Sequence, residues 1–222
     1  LVNASPYETR EHYLPWLKDP GRTQTLFGPA YAVLRPEFQT LQAGADGRAV
    51  KQILVAFGGG DDRGAIQQCL RVLAGKLGPE VKLVLISGKG NPRNEANLCQ
   101  VAGYPPHQVE YHINPSDLPS LMQQCDLAVI GGGTMSYEAA ICGLPMIFMG
   151  LAANQERPCL GWADLAASRY LGAVGKVSDQ DLYQTVSQVI DNDKNRTEMA
   201  RRGRALVDGK GARRLIDALC KF

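Results

Sequence analysis

The stretch from residue 125 to residue 145, CDLAVIGGGTMSYEAAICGLP, contains a short apolar run, a glycine-rich turn and a helical pattern in immediate succession. Residues 127–130 are continuously apolar, which is typical of a strand buried on both faces of a sheet. The following helix is expected to end at Gly143, with Pro145 just beyond it. A strand, a turn and a helix in this order predict one unit of a parallel α/β sheet.

The same alternation extends along the chain on both sides of that stretch. Strands are predicted at residues 52–57, 81–86, 109–113, 146–149 and 173–177, with helices between them. One helix is predicted to begin at Ser116 as its N-cap, another to cover residues 160–169, and a third to begin with a capping-box-like pair, Ser178 and Asp181. The fold class is therefore predicted to be α/β, a doubly wound, Rossmann-like parallel sheet.

The chain divides by composition into two parts. Residues 51–222 are predicted to form the Rossmann-like domain with its C-terminal helices, whereas the proline-rich residues 1–50 are predicted to be an interdomain lead-in segment that wraps this domain. The first residues, LVNAS, resemble the end of a strand and lack an initial methionine. We therefore expect an N-terminal partner domain that this chain does not include.

Composition narrows the range of function classes. Of the 222 residues, 45% are hydrophobic and 21% are charged, a balance typical of soluble globular proteins. The net charge of +2 argues against a nucleic-acid partner, and the basic residues between 194 and 214 are interpreted as a solvated helix face. No apolar run reaches the roughly 20 residues that a membrane span needs.

Cysteine and histidine usage predicts neither a disulfide framework nor a metal site. The six cysteines are scattered without a CxxC pair, and none of the three histidines has metal-ligand spacing with a cysteine. This pattern is typical of free, mostly buried thiols in a reducing compartment. We expect a cytoplasmic protein with no metal and no cofactor.

Two glycine-rich turns follow predicted strands and are candidates for ligand binding. They are Gly58–Gly60, after residues 52–57, and Gly131–Gly133, before the helix described above. Glycine lets the backbone approach a ligand closely, and the N–H groups at a helix start attract phosphate. Neither turn has the GxGxxG spacing of a dinucleotide site, and the chain has no GxxxxGK[ST] loop, so an NAD enzyme or a nucleoside triphosphatase is disfavoured.

Three polar residues near the second turn admit two interpretations each. Glu138 lies about one turn into the helix that Thr134 caps, so its carboxylate can accept hydrogen bonds from both ribose hydroxyls of a nucleotide or simply complement the helix dipole. Asn154 and Gln155 follow residues 146–149 directly. Their amides can bind sugar hydroxyls or N-acetyl groups, or can cap the next helix.

These residues carry a resemblance to a known family. Residues 125–138, 143–145 and 153–155 resemble the C-terminal domain of GT-B nucleotide-sugar enzymes. The likeness is greatest to the UDP-sugar hydrolase of pseudaminic acid biosynthesis (UDP-diacetamido-trideoxy-altropyranose hydrolase) and its spore-coat polysaccharide relatives. Residues 27–38 (FGPAYAVLRPEF), 56–61 (AFGGGD) and 208–214 (DGKGARR) resemble further motifs of that hydrolase family. A more distant likeness is to the UDP-N-acetylglucosamine transferase of peptidoglycan synthesis.

The resemblance implies a UDP-sugar as ligand and assigns residues to its parts. Glu138 would bind the ribose, and the backbone near His112 and Ile113 would contact the uracil. Asn154 and Gln155 would hold the sugar. The pyrophosphate would contact the two glycine turns and the helix start, at Gly58, Gly59, Gly60, Gly132, Gly133, Thr134 and Met135.

The sequence departs from the family pattern at three places. Gly60 replaces a serine, and Asp62 replaces a proline and adds a negative charge near the first turn. The family's catalytic histidine, expected in a glycine-rich loop of the N-terminal domain, has no counterpart here, so no catalytic residue is assigned to this chain.

The expected function is therefore the UDP-binding half of a nucleotide-sugar hydrolase in surface-polysaccharide or nonulosonic-acid biosynthesis. A GT-B glycosyltransferase, in which an acceptor hydroxyl replaces water, and a non-catalytic nucleotide-sugar-binding module are the alternatives.

Overall fold

The computed structural model describes residues 1–39 and 48–220, and within these ranges the strands form two parallel sheets. The smaller sheet pairs β1 (Val2–Asn3) with β2 (Leu26–Phe27). The larger sheet has the order β5-β4-β3-β6-β7-β8. Its strands are β3 (Gln52–Ala56), β4 (Lys82–Ser87), β5 (Val109–Ile113), β6 (Leu127–Ile130), β7 (Met146–Gly150) and β8 (Ser168–Ala173).

Helices connect the strands of the larger sheet and complete the chain. In the described ranges they are α1 (Arg10–Tyr13), α2 (Ala65–Leu73), α3 (Asn94–Val101), α4 (Leu118–Gln124), α5 (Met135–Cys142), α6 (Glu156–Asp164), α7 (Asp179–Asp191), α8 (Asp193–Leu206) and α9 (Gly211–Leu219). None of them is both long enough and apolar enough to cross a membrane.

The core lies on both faces of the larger sheet because residues 53–56 of β3 and 127–130 of β6 are continuously apolar and buried. Ile53 and Val55 of β3 face a cluster that includes residues of α2 and α7. Leu54 and Ala56, which point the other way, belong to a second cluster with residues of α4, α5 and α6. The predicted doubly wound parallel sheet is confirmed.

The central strands and two helix ends agree with the sequence patterns. Strands β3 to β7 lie within one residue of their predicted ends. Gly143 ends α5 in the left-handed conformation, with φ of 71°, where glycine carries no steric cost. The Ser178 hydroxyl accepts a hydrogen bond from the backbone N–H of Asp181 at the start of α7.

Three predicted boundaries are wrong. The strand predicted at 173–177 is β8, which lies at Ser168–Ala173 because its pairing with β7 runs from Met146 to Gly150. β8 is an edge strand in which Ser168 and Arg169 are polar and residues 170–173 are only half-buried, so it has no continuously apolar run that would mark it in the sequence. The helix predicted at 160–169 is α6, which begins at Glu156. The N-cap of α4 is Asp117 rather than Ser116, since the Asp117 carboxylate accepts from the N–H of Ser120.

The lead-in segment contacts the domain at several points, although residues 40–47 lie outside the described ranges. Phe38 is completely buried in the second core cluster. Arg214 of α9 donates to the carbonyl of Ala30 at 2.9 Å. Gly211 lies so close to the backbone of Ala32 that a side chain there would overlap it. The interdomain role of residues 1–50 stays a prediction.

Candidate functional site

A cavity of about 330 Å³ lies at the carboxyl ends of β3, β4 and β6. β3 lies between β4 and β6, so the strand order reverses between β3 and β6, and the cavity lies at the carboxyl ends of these strands. In open parallel sheets, ligands bind at such a point. The cavity therefore occupies the position that the fold favours for a ligand.

The cavity brings together seven of the twelve residues predicted to bind UDP or sugar. They are Gly58, Gly59, Gly133, Thr134, Met135, Glu138 and Gln155. The other five lie close in sequence but do not line this cavity, namely Gly60, His112, Ile113, Gly132 and Asn154.

Four of these five residues lie beside the cavity lining or at the end of β5. Gly60 and Asn154 are exposed beside lining residues, and Ile113 is the last residue of β5. The His112 imidazole lies 3.3 Å from the Glu110 carboxylate on the same strand. At this end of the sheet the cavity wall is formed instead by Asn114 and Pro115.

Gly132 is buried beneath the second glycine turn and has a packing role. An ideal Cβ on Gly132 would overlap the Sγ of Cys159 and would lie 3.0 Å from the carbonyl oxygen of Gln155. The turn is held from below by Ser136, whose hydroxyl donates to the Gly133 carbonyl at 2.8 Å and accepts from the Trp162 indole at 3.1 Å. Only glycine fits at position 132 while Cys159 and Gln155 pack this closely against the turn.

The start of α5 offers backbone donors to the cavity. Within the described chain, the N–H groups of Thr134 and Met135 make no hydrogen bond, and both residues line the cavity. Unpaired N–H groups and the positive end of the helix dipole together favour an anion. This end of the cavity suits a phosphate group.

Gln155 connects the loops that follow β6 and β7. Its Oε1 accepts from the N–H of Leu151 at 2.9 Å and from the N–H of Gly132 at 3.3 Å. These two bonds fix the amide orientation, so the Nε2 donor is left for the cavity, which Gln155 lines. The Gln155 amide thus holds the two loops together through Oε1, and its Nε2 can donate a hydrogen bond to a sugar oxygen in the cavity.

Glu138 forms an ion pair with Arg35 of the lead-in segment. Its Oε1 lies 3.1 Å from Nη2 and 3.2 Å from Nε of Arg35. The Glu138 side chain is 15% exposed, whereas that of Arg35 is 48% exposed and lies 5.1 Å from the Phe38 ring centroid. Burial raises the pKa of Glu138 above its ordinary value, and the charge of Arg35 offsets part of that increase.

The cavity is also lined by residues that the sequence patterns did not indicate, among them Arg35, Ser87, Gly88, Asn114 and Pro115. Arg35 stands inside the quoted motif at residues 27–38, but nothing in the motif showed that it reaches the second glycine turn. The other four directly follow or end β4 and β5, so the ends of these parallel strands were the signal that could have found them.

Asp62, which was expected to add charge near the first turn, is buried and does not line the cavity. It is 1% exposed, and its oxygens accept from the Gly64 N–H at 2.7 Å, from Asn91 at 2.8 Å and from Asn97 at 3.3 Å. Its charge is therefore compensated inside the domain by hydrogen bonds. Asp62 belongs to the framework of the turn.

Solved structures identify the class of fold. GT-B glycosyltransferases share this parallel, Rossmann-like domain. MurG from Acinetobacter baumannii matches 92% of this chain and 58% of its own chain, with a TM-score of 0.64 and 18% sequence identity. No protein-family profile matches the chain.

Two curated relatives agree with the resemblance described above. The spore coat polysaccharide biosynthesis protein SpsG of Bacillus subtilis is 30% identical over 203 residues, which are 90% of this chain and 59% of the relative. The pseudaminic acid cytidylyltransferase and UDP-2,4-diacetamido-2,4,6-trideoxy-beta-L-altropyranose hydrolase of Helicobacter pylori is 28% identical over 107 residues, 47% of this chain and 18% of the relative. The chain spans less than two thirds of the length of either relative.

Proposed function

We propose that this chain is the UDP-binding part of an enzyme that cleaves the bond between a sugar and UDP in the biosynthesis of a surface polysaccharide or a nonulosonic acid. The observation that carries the proposal is the cavity at the switch point of the sheet, where the start of α5 and the Glu138 carboxylate face the same space. The helix start suits a phosphate and the carboxylate suits a ribose diol.

The charges along the cavity wall support a diphosphate ligand. Among the lining residues that the structure describes, Arg35 is the one cation and Glu138 the one anion. The two side chains neutralise each other in this ion pair, and the Arg35 side chain is about half exposed. A bound nucleotide would give the guanidinium a stronger anionic partner and would leave the carboxylate to the ribose hydroxyls.

Ligand class is tested by thermal stabilisation of the chain. UDP at about 100 times its dissociation constant should stabilise the fold by about 2.7 kcal/mol, whereas NAD should leave the unfolding midpoint unchanged. The turns favour this outcome because they lack the GxGxxG spacing. Equal stabilisation by UDP and NAD would remove the basis of the proposal.

A GT-B glycosyltransferase is the second candidate, and the fold shared with solved glycosyltransferases favours it. The two activities differ in the nucleophile, which is water in the hydrolase and an acceptor hydroxyl in the transferase. Incubating the full-length protein with UDP-sugars and no acceptor separates them. Rapid release of free sugar supports the hydrolase, and release only after an acceptor is added supports the transferase.

The proposal extends to the whole protein and to its location. We place the catalytic histidine in an N-terminal domain that closes over the cavity, and the relatives are long enough to hold a further domain beside the region matched here. A cytoplasmic location is supported by the free cysteines, of which Cys69, Cys125, Cys142 and Cys159 are buried.

A further inference from the structure

A buried polar network lies behind the wall of the cavity between β3 and β4. Its central residue is Asn91, which is 4% exposed and whose amide nitrogen donates to Asp62 at 2.8 Å and to the Ser87 hydroxyl at 2.9 Å. The Asn91 carbonyl oxygen accepts from the N–H of Arg93 at 3.0 Å. Because Asp62 and Arg93 fix both ends of the amide, Asn91 has one orientation.

This orientation determines what the Ser87 hydroxyl can do. The Asn91 amide N–H donates to the Ser87 oxygen, so the Ser87 hydroxyl accepts in this hydrogen bond and its own proton remains available for donation. Across residues 1–39 and 48–220 no hydrogen bond uses that proton, although Ser87 is only 2% exposed. Ser87 lines the cavity, so an acceptor on a ligand can take the proton there.

The surroundings of Ser87 identify that acceptor as anionic. The next residue, Gly88, touches the first glycine turn so closely that a Cβ on it would overlap the Cα of Gly59. Ser87 therefore stands beside the turn whose free backbone suits phosphate. The glycines of that turn have no side chains, and the neighbouring strand β4 brings the Ser87 hydroxyl to the same region of the cavity.

We infer that Ser87 donates a hydrogen bond to a phosphate oxygen of the bound nucleoside diphosphate, and that Asp62 and Asn91 are positioning residues that orient its hydroxyl. This inference rests on the proposed function. It adds a ligand contact that the sequence motifs did not indicate, and it gives the buried carboxylate of Asp62 a role in the site.

The test compares UDP with uridine, which has the same base and ribose but no phosphate, by isothermal titration calorimetry. Ser87→Ala should weaken UDP binding about 10- to 100-fold, the expected loss of one hydrogen bond to a charged group, while uridine binding stays within about twofold. Both ligands are titrated into the same preparation, so a partly unfolded sample changes both constants alike. Ser168→Ala, at a buried serine of β8 that does not line this cavity, should change neither constant.

A double-mutant cycle tests the positioning role. Asp62→Asn should weaken UDP binding in the unaltered chain but not in the Ser87→Ala background, because its effect passes through the hydroxyl. A purely structural effect of Asp62 would be additive and would overturn the positioning role. Ser87→Cys, similar in size and a weak donor, replaces Ser87→Ala if the alanine variant does not fold.

The outcomes separate this inference from the proposed function. Tight UDP binding with an unchanged ratio of UDP to uridine affinity in Ser87→Ala would overturn this inference alone. Failure of the unaltered chain to bind UDP would overturn the proposed function and the inference together.

Discussion

Replacing Glu138 with glutamine should weaken UDP binding without destabilising the fold. The substitution keeps the size of the side chain but turns one acceptor oxygen into a donor, so a bidentate contact with the two ribose hydroxyls is lost. Hydrogen bonds to a charged group contribute about 1.5–3 kcal/mol, which corresponds to roughly 10- to 100-fold in affinity. Calorimetric titration of the variant with UDP measures this loss directly.

Although Glu138→Gln should lower the affinity for UDP, it should leave the stability of the fold unchanged or raise it. Burial raises the pKa of Glu138, so the folded chain takes up this proton at a higher pH than the unfolded chain. The corresponding stabilisation is complete below the ordinary pKa of glutamate and is lost as the pH rises through the raised pKa. Near pH 7 the ionised carboxylate is a net cost to folding, so the unfolding midpoint of Glu138→Gln should be equal to or above that of the unaltered chain.

Glu156→Gln is the matched control. Glu156 also lies in the first turn of a helix, and so has a comparable interaction with the helix dipole, but it is exposed and does not line the cavity. 2′-Deoxy-UDP provides the second comparison, because the difference between Glu138→Gln and the unaltered chain should shrink for this ligand. An equal difference for UDP and 2′-deoxy-UDP, or UDP affinity unchanged by Glu138→Gln, would refute the ribose assignment.

Gly132→Ala should lower the unfolding midpoint, because its Cβ would overlap Cys159 at an overpacking cost of about 1–3 kcal/mol. Gly60→Ala is the control, since a Cβ there meets open space, and equal midpoints for the two variants would contradict this prediction. Arg35→Ala should weaken UDP binding more than uridine binding in calorimetric titration, because on the proposed function the Arg35 cation pairs with the phosphates; an equal loss for both ligands would argue against this role. The 222-residue chain should release sugar from UDP-sugars at no more than the uncatalysed rate, because positioned acid–base groups contribute about 10²–10⁴-fold. Turnover comparable to that of the full-length protein would direct attention to His112 of β5 and to His107, which is exposed in the turn before that strand.

The sequence predicted those parts of the fold that depend on local pattern. Strands such as β6 are buried on both faces and read as continuously apolar runs, and Gly143 ends a helix in a conformation that glycine adopts freely. β8 was misplaced because this edge strand begins with Ser168 and Arg169 and lacks that run. Its position depends on pairing with β7, which is a tertiary contact.

The candidate site was predictable where it follows one strand directly, and not where distant segments meet. Gly133, Thr134 and Glu138 come after β6 in an unbroken motif, and all three line the cavity. Arg35 is 103 residues away from Glu138, and no spacing rule connects them. The Ser87–Asn91–Asp62 network could not be predicted from the sequence either, because it depends on the packing of two loops that follow different strands.

On the proposed function, the chemistry of the leaving group explains why one cavity suits both a hydrolase and a transferase. In both reactions the bond from the anomeric carbon to the diphosphate breaks, and negative charge grows on UDP. Backbone donors at the start of α5 and the Arg35 guanidinium stabilise such charge wherever the nucleophile comes from. The nucleophile must approach the sugar, which the resemblance places beside Gln155. The ionisable side chains of the described cavity wall are the paired Arg35 and Glu138. On the proposed function, this chain therefore stabilises and orients the leaving group, and we expect the group that activates the nucleophile in the proposed N-terminal domain.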